Sequence, residues 1–187
     1  RQQPQVREPC DLNAAVDQSL ALLLRAEARR QGVAVRLDLA HGPLPVSADR
    51  VLLEQVVLNL GLNALQAMQG MPGPQAAVLA PGSAKSDVPE LLLRTAAEGR
   101  FATLQVLDRG PGLPPEIADR LFEPFFTTRA DGLGLGLNIC RSIVESMGGE
   151  LLARNRDDSG DINNNDNDGG PGAVFEIRLP RLEQVLP

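Results

Sequence analysis

An uncharged stripe of side-chain amides follows one predicted helix, written in the sequence as "SADRVLLEQVVLNLGLNALQAM". Gln55, Asn59, Asn63 and Gln66 succeed one another at spacings of four, four and three residues, so they share a helix face. A solvent-facing edge would explain the stripe, although such edges usually carry Lys, Glu and Arg, and Asn is a poor helix former. Amide oxygens also suit Mg²⁺ that already holds phosphate oxygens and water. The stripe indicates one of these two roles.

A single acid continues an apolar row at the end of the strand predicted in "RFATLQVLDRG". Leu104, Val106 and Asp108 occupy alternate positions and therefore share a face. Asp108 either opens a turn or stands at the edge of an apolar pocket, where a carboxylate accepts a hydrogen bond from a ligand amine. In the second case, Gly110 and Gly112 would let the backbone pass close to that ligand.

Three glycines, Gly132, Gly134 and Gly136, alternate with leucines in "DGLGLGLNIC", immediately before the helix-like run "NICRSIVESM". Glycines in front of a helix can turn N–H groups towards phosphate, and the dipole of the helix favours that charge. A flexible loop is the alternative explanation. The stretch lacks the Gly-Lys-Ser/Thr of a Walker motif and does not follow a strand, as a dinucleotide fingerprint would.

Two long helices and five strands would position these residues. "DLNAAVDQSLALLLRAEARRQG" predicts a helix capped by Asp11 and ended by Gly32, and Ser47 is the predicted cap of the amide-bearing helix. "VAVRLDL", "ELLLRTAAEG", "RFATLQVLDRG", "ELLARNR" and "AVFEIRLP" predict strands, and "PPEIADRLF" predicts a short helix. The order predicts an α/β sandwich, with one sheet covered by helices on one face.

Apolar positions on the two helices predict their buried faces. The first helix would bury Leu12, Val16, Leu20 and Leu23, and the second would bury Leu53, Val56, Val57, Leu60, Ala64 and Met68.

Composition narrows the class of protein. The chain of 187 residues fits one domain, with 43% apolar and 22% charged residues. A net charge of -6 without a basic cluster argues against nucleic acid as a partner. No signal peptide and no apolar run of about 20 residues is seen. Cys10 and Cys140 lack metal-ligand spacing and are interpreted as the reduced thiols of a cytoplasmic protein.

The three weak signals occur in one order, with "LFEPFFTTR" between the last two. That combination closely resembles the ATP-binding catalytic domain of sensor histidine kinases, in the GHKL superfamily. "EQVVLNLGLNALQAM" resembles its N box, "DRGPGLP" its G1 box, "LFEPFFTT" its F box and "GLGLGL" its G2 box. The resemblance covers residues 11–182, so residues 1–10 are expected to end a preceding helical hairpin and residues 183–187 to form a tail. It implies a Bergerat fold, a mixed sheet of about five strands on about three helices.

The resemblance assigns roles along the first two boxes. Asn63 would bind Mg²⁺, and Asn59 would support the metal and the phosphates of ATP. Asp108 would accept a hydrogen bond from the adenine amine, and Gly110 and Gly112 would shape the base pocket.

The resemblance also assigns the segment that follows to an ATP lid. Gly132, Gly134 and Gly136 would hinge that lid and cradle phosphates, with Leu135 in the backbone cradle. The helix that begins near Leu137 would offer its N-terminus to the phosphates. Arg129 would carry a positive charge to the γ-phosphate, and the lid would be anchored by Phe122, Phe125 and Phe126.

The expected reaction is phosphoryl transfer to a histidine outside this chain. His41, the only histidine, lies in a Gly/Pro turn without the context of a phosphoacceptor. The hydrolases of the superfamily place Glu where this chain has Asn59, which cannot act as a base; Glu54 would be the first substitute to suspect. A GHKL ATPase and a nucleotide-binding regulatory module are the alternatives.

The implied partners are ATP with Mg²⁺, a histidine-bearing dimerisation domain of a homodimeric parent, and a response regulator receiver domain. The domain is expected in the cytoplasm, and the resemblance leaves open whether the parent is anchored in the inner membrane.

Overall fold

The computed structural model describes residues 7–71, 89–118, 120–124, 136–156 and 172–182. The helices of this part are α1 (Leu12–Ser19), α2 (Arg25–Gln31), α3 (Arg50–Ala67), α4 (Pro115–Ala118) and α5 (Gly136–Ser146), and the π-helical turn Leu20–Leu24 joins α1 to α2. Its strands are β1 (Glu8–Asp11), β2 (Ala34–Asp38), β3 (Pro45–Ala48), β4 (Glu90–Glu98), β5 (Phe101–Leu107), β6 (Glu150–Asn155) and β7 (Ala173–Pro180).

Five of these strands form a mixed sheet in the order β2-β4-β5-β7-β6. β2 pairs with β4 in parallel, and the other neighbours are antiparallel. Alternate strand residues pack with the helices into the main core; they include Leu91, Leu93, Leu104, Val106, Leu151 and Ile177. The strand residues of the opposite face form a separate small cluster of Leu92, Leu107 and Val174. The predicted α/β fold, with helices on one face of a five-stranded mixed sheet, is confirmed.

The first helical segment is interrupted by its π-helical turn. Asp11 caps α1 as predicted, accepting hydrogen bonds from the N–H groups of Asn13 (3.1 Å) and Leu44 (2.8 Å). The wider π turn shifts the register of the buried face, so the prediction that Leu23 is buried is wrong: it is 65% exposed, and Leu24 is buried instead.

A two-stranded antiparallel ribbon of β1 and β3, separate from the main sheet, was not predicted. Glu8 pairs with Ala48 and Asp11 with Pro45. Because Ser47 is part of β3, the prediction that it caps α3 is wrong. The cap is Asp49, whose Oδ1 accepts hydrogen bonds from two N–H groups in the first turn of α3.

The long helix α3 buries the predicted apolar face against the sheet. All six predicted positions, Leu53, Val56, Val57, Leu60, Ala64 and Met68, are at most 2% exposed. Among the residues that the structure describes, no helix is both long and apolar enough to cross a membrane.

Candidate functional site

Asp108 lies directly after β5 and is only 1% exposed, on the same face as Leu104 and Val106. Its Oδ1 accepts hydrogen bonds from the backbone N–H groups of Gly110 (2.8 Å) and Ala173 (3.2 Å). Burial raises the pKa of Asp108 above its ordinary value of 3.8, and these two donors and the Arg156 guanidinium oppose that rise. Both bonds end on Oδ1, so Oδ2 takes no part in them.

The two glycines after Asp108 are constrained by their own chain. A Cβ at Gly110 would lie 3.1 Å from the Cβ of Ala67, at the end of α3. Gly112 has a φ of +79°, and a Cβ there would lie 2.8 Å from Oδ1 of Asn155. Glycine is therefore strongly favoured at Gly112, and a side chain at Gly110 would need small shifts of its neighbours, whatever a ligand adds to these constraints.

The contact between Gly110 and Ala67 sets this loop against the C-terminal end of α3. Next to it, the N–H of Arg109 donates to Sδ of Met68 at 3.5 Å. Asn63 and Asn59 lie one and two turns before Ala67, about 6 and about 12 Å along the helix axis. The side chains thus follow one another along α3, away from Asp108.

The amide stripe divides into two half-buried asparagines, Asn59 and Asn63, and two exposed glutamines, Gln55 and Gln66. The Nδ2 of Asn59 donates to Sγ of Cys140, a buried thiol of α5, at 3.7 Å. Burial raises the pKa of the Cys140 thiol. The bond sets the N-terminal half of α5 beside Asn59, at the end of the line farther from Asp108.

Gly136 and Leu137 are the first two residues of α5, so the predicted start of this helix near Leu137 is confirmed. Leu137 is half-buried against the core. Gly136 is exposed, and a Cβ added to it would meet none of the described residues within 4 Å. The described part of the structure therefore leaves room for a side chain at this position.

The other predicted lid residues, Arg129, Gly132, Gly134 and Leu135, lie outside the described residues, as do Phe125 and Phe126. Phe122 is half-buried. Its carbonyl oxygen accepts a hydrogen bond from Nδ2 of Asn138 (3.0 Å), and its ring lies 5.3 Å from the Arg141 guanidinium. The described segment before the lid is thus attached to α5. In the short helix predicted before it, only Pro115–Ala118 is helical, and the described residues after Ala118 form turns.

Three residues of the site were missed by sequence reasoning: Asn155, Arg156 and Gly172. The side chain of Asn155 bonds both backbone groups of Leu113, and Nη1 of Arg156 lies 3.3 Å from the carbonyl oxygen of Asp108. A Cβ at Gly172 would collide with that same carbonyl. These partners are distant in sequence, so no local pattern signals them.

The described residues contain no group of three or more His, Cys, Asp and Glu side chains arranged to hold a metal ion. Glu54, the substitute base suspected from sequence, forms an ion pair with Arg50 (2.8 Å). The single histidine, His41, is exposed in a turn. The groups available for binding along this side of α3 are therefore the amides of Asn59 and Asn63, with the Asp108 carboxylate near the C-terminal end of the helix.

Comparison with known proteins bears on the family and the fold of this chain. The model of the family described as histidine kinase-, DNA gyrase B- and HSP90-like ATPase matches residues 48–183. The chain is 37% identical to the C4-dicarboxylate transport sensor protein DctS of Rhodobacter capsulatus, over 89% of this chain and 22% of DctS. It is 34% identical to the sensor protein FixL of Bradyrhizobium diazoefficiens, over 92% of this chain and 29% of FixL. The chain thus spans less than a third of the length of these relatives.

Solved structures show the same fold. The catalytic domain of histidine kinase ThkA superposes with a TM-score of 0.71 at 26% identity, over 94% of this chain and 95% of that domain. The mycobacterial sensor histidine kinase MprB gives 0.66 at 29% identity, over 94% of this chain and 98% of that one. The chain belongs to the histidine kinase-, DNA gyrase B- and HSP90-like ATPase family, and is an ATP-binding catalytic domain of its histidine kinase branch.

Proposed function

We propose that this chain holds Mg²⁺-ATP along α3 and presents the γ-phosphate to a histidine on a separate dimerisation domain of its parent protein. The observation that supports this most is the arrangement of side chains along α3. Asp108 lies at one end through the contact of Gly110 with Ala67, and Asn59 lies at the other against Cys140. A nucleotide could bind there with its base and its phosphates at opposite ends.

At the base end, Asp108 would accept a hydrogen bond from the adenine amine through Oδ2. Its other oxygen is held by two N–H donors, so the carboxylate has a fixed orientation before the ligand arrives. A buried acceptor of this kind favours a base that carries an amino group, because a base with a carbonyl oxygen there would face it with a second acceptor.

At the phosphate end, the residues fit a magnesium ion that arrives with the nucleotide. Asn63 is half-buried and offers a neutral amide oxygen. Mg²⁺ commonly takes one or two protein ligands and completes its shell with phosphate oxygens and water. Asn63 would bind the ion, and Asn59 would support it and the phosphates. Bound there, the ion would neutralise charge on the transferred phosphoryl group.

The rest of the phosphate site comes from the N-terminus of α5 and from residues outside the described part. The N-terminal end of α5, at Gly136 and Leu137, would favour an anion. Arg129 would add a positive charge at the γ-phosphate, and Gly132, Gly134 and Leu135 would complete the lid and cradle. Phosphoryl transfer depends mainly on positioning and charge stabilisation, which these groups would supply.

The chemistry of Asn59 favours transfer to a protein over hydrolysis. An amide cannot take a proton from water at neutral pH, and Glu54, the nearest alternative base suspected from sequence, is paired with Arg50. His41 lies exposed in a turn of this chain, remote in sequence from every proposed site residue. The acceptor histidine would therefore come from a dimerising helical hairpin, for which residues 1–10 are the proposed connection and 11–182 the catalytic domain.

The proposed partners follow from the relatives. DctS and FixL are sensor proteins, and ThkA has been solved in complex with the response regulator protein TrrA. A homodimeric parent and a response regulator receiver domain are proposed on that basis, with this domain on the cytoplasmic side of any membrane that the parent crosses.

Phosphoryl transfer can be followed with ATP labelled at the γ-phosphate. Alone, the chain should bind ATP and hydrolyse it very slowly; with the helical hairpin of its parent, label should appear on the histidine of the hairpin. A His→Ala hairpin is the control. Rapid steady-state hydrolysis by the isolated chain would instead favour the ATPase alternative, and ATP binding without transfer to the hairpin would favour a regulatory module.

A further inference from the structure

We propose that Asn155, the last residue of β6, is a positioning residue for recognition of the nucleotide base. It would act without touching the nucleotide, by holding the loop of residues 108–113 in the shape that orients the Asp108 carboxylate. This inference rests on the proposed role of Asp108 in binding the adenine amine.

The side chain of Asn155 holds the far end of this loop through two hydrogen bonds. The N–H of Leu113 donates to Oδ1 of Asn155 at 2.6 Å, and Nδ2 of Asn155 donates to the carbonyl oxygen of Leu113 at 2.9 Å. One side-chain amide thus engages both backbone groups of one residue, as a neighbouring strand would. Gly112 lies so close to Oδ1 that a Cβ would stand 2.8 Å from it.

The near end of the loop, at Asp108, is held by Arg156, which follows β6, and by Ala173, the first residue of β7. The N–H of Asp108 donates to the carbonyl oxygen of Ala173 (3.0 Å), and Nη1 of Arg156 donates to the carbonyl oxygen of Asp108 (3.3 Å). The N–H of Arg156 in turn donates to Gly172 (2.9 Å). Asn155 and Arg156, adjacent in sequence, therefore hold opposite ends of the same loop.

Asn155 is coupled to both donors that fix the carboxylate of Asp108. One donor, the N–H of Gly110, lies within the loop that Asn155 closes. The other, the N–H of Ala173, belongs to the residue that pairs with Asn155 in the β6–β7 register. Release of Leu113 would free the loop around Gly110 and remove one of the two constraints on the direction of Oδ2.

A purely structural role for Asn155 predicts a different result from a positioning role. Loss of a loop contact alone would lower the stability of the fold and reduce the affinity for all nucleotides equally. Loss of orientation at Asp108 would weaken ATP selectively. Inosine triphosphate would be spared, because it carries a carbonyl oxygen where adenine carries its amine.

The test is the affinity of the whole chain for ATP and for inosine triphosphate, measured by calorimetry with Mg²⁺. Asn155→Ala should weaken ATP binding about tenfold, because a misoriented Asp108 carboxylate would lose much of its hydrogen bond with the adenine amine, and should change the affinity for inosine triphosphate less than about twofold. Asn155→Asp keeps the acceptor for the N–H of Leu113 but sets a carboxylate oxygen against the carbonyl oxygen of Leu113, so it should give a selective loss of ATP affinity at least as large. It also serves as the second variant if Asn155→Ala does not fold.

Asn13→Ala is the matched control, because Nδ2 of Asn13 also holds backbone, the carbonyl oxygens of Ala40 (3.1 Å) and Gly42 (2.9 Å). It should lower stability and leave the preference for ATP unchanged. Equal losses for both nucleotides in folded Asn155 variants, or no loss, would overturn the positioning role. If the unaltered chain binds the two nucleotides equally, the role of Asp108 itself fails.

Discussion

Replacement of Asp108 by Asn should weaken ATP binding without lowering the stability of the nucleotide-free fold. The amide oxygen would keep the place of Oδ1, where Gly110 and Ala173 donate. The NH₂ group would then occupy the place of Oδ2. A donor would face the adenine amine in the position where a charged acceptor stood.

The loss in binding follows from the kind of hydrogen bond that is removed. A bond to a charged group contributes about 1.5–3 kcal/mol, which corresponds to a rise in Kd of about 10- to 150-fold. Stability should respond differently. Burial raises the pKa of Asp108, so its ionised form is less favourable in the folded domain than in the unfolded chain. A neutral amide should leave the free energy of unfolding without nucleotide unchanged or higher.

Calorimetric titration with ATP and urea denaturation of the nucleotide-free chain would measure the two effects. Asp38→Asn removes the same charge from the exposed partner of Arg94, a carboxylate 50% exposed on β2, and should leave ATP affinity unchanged. Unchanged ATP affinity in a folded Asp108→Asn protein would refute the assignment. A large loss of stability would show that the carboxylate serves the fold instead.

Three further predictions concern the metal, the pH and the glycines. Asn63→Ala should abolish the part of ATP affinity that depends on Mg²⁺, whereas Gln66→Ala, which changes an exposed residue one turn later, should retain it. An equal effect of Mg²⁺ on ATP affinity in both variants would contradict the metal role of Asn63. As pH falls through the raised pKa of Asp108, ATP affinity should fall while the nucleotide-free fold gains stability, because the folded state binds the proton more tightly. Calorimetry and thermal denaturation across pH would measure the two trends, and neither should appear in Asp108→Asn. Gly112→Ala should lower the free energy of unfolding in urea by about 1–3 kcal/mol, because of its φ of +79° and its contact with Asn155. Gly136→Ala, where an added Cβ meets none of the described residues within 4 Å, should change it by less than about 0.5 kcal/mol, and similar costs in the two variants would disprove this explanation.

The parts of the fold that depend on local periodicity could be predicted. Leu104, Val106 and Asp108 alternate, and the structure places all three on the buried face. The spacing of Asn59 and Asn63 predicted a shared helix face, and both are half-buried. These patterns are carried by neighbouring residues and do not depend on which elements pack together.

The parts that depend on long-range packing could not be predicted. Every residue of the run "LALLL" is apolar, so periodicity alone could not show that Leu24 is buried and Leu23 exposed. Proline lacks the N–H that pairs strands, yet Pro9 and Pro45 both belong to the β1–β3 ribbon. In the described part of the chain this ribbon has two strands, and a single bridge joins its Val46 to Arg181. Gly172 matters because its missing Cβ leaves room for the carbonyl oxygen of Asp108, a contact between distant parts of the chain.

The hydrogen bond from Asn138 to Phe122 has a consequence for how this domain can evolve. It joins two positions 16 residues apart, so it holds the two ends of the intervening stretch of chain together at α5. The entropy cost of closing a loop grows only with the logarithm of its length, by about 0.6 kcal/mol for each doubling. Insertions and deletions between these two residues should therefore cost the domain little stability. A change in the length of this stretch should therefore leave the sheet and α3 in place.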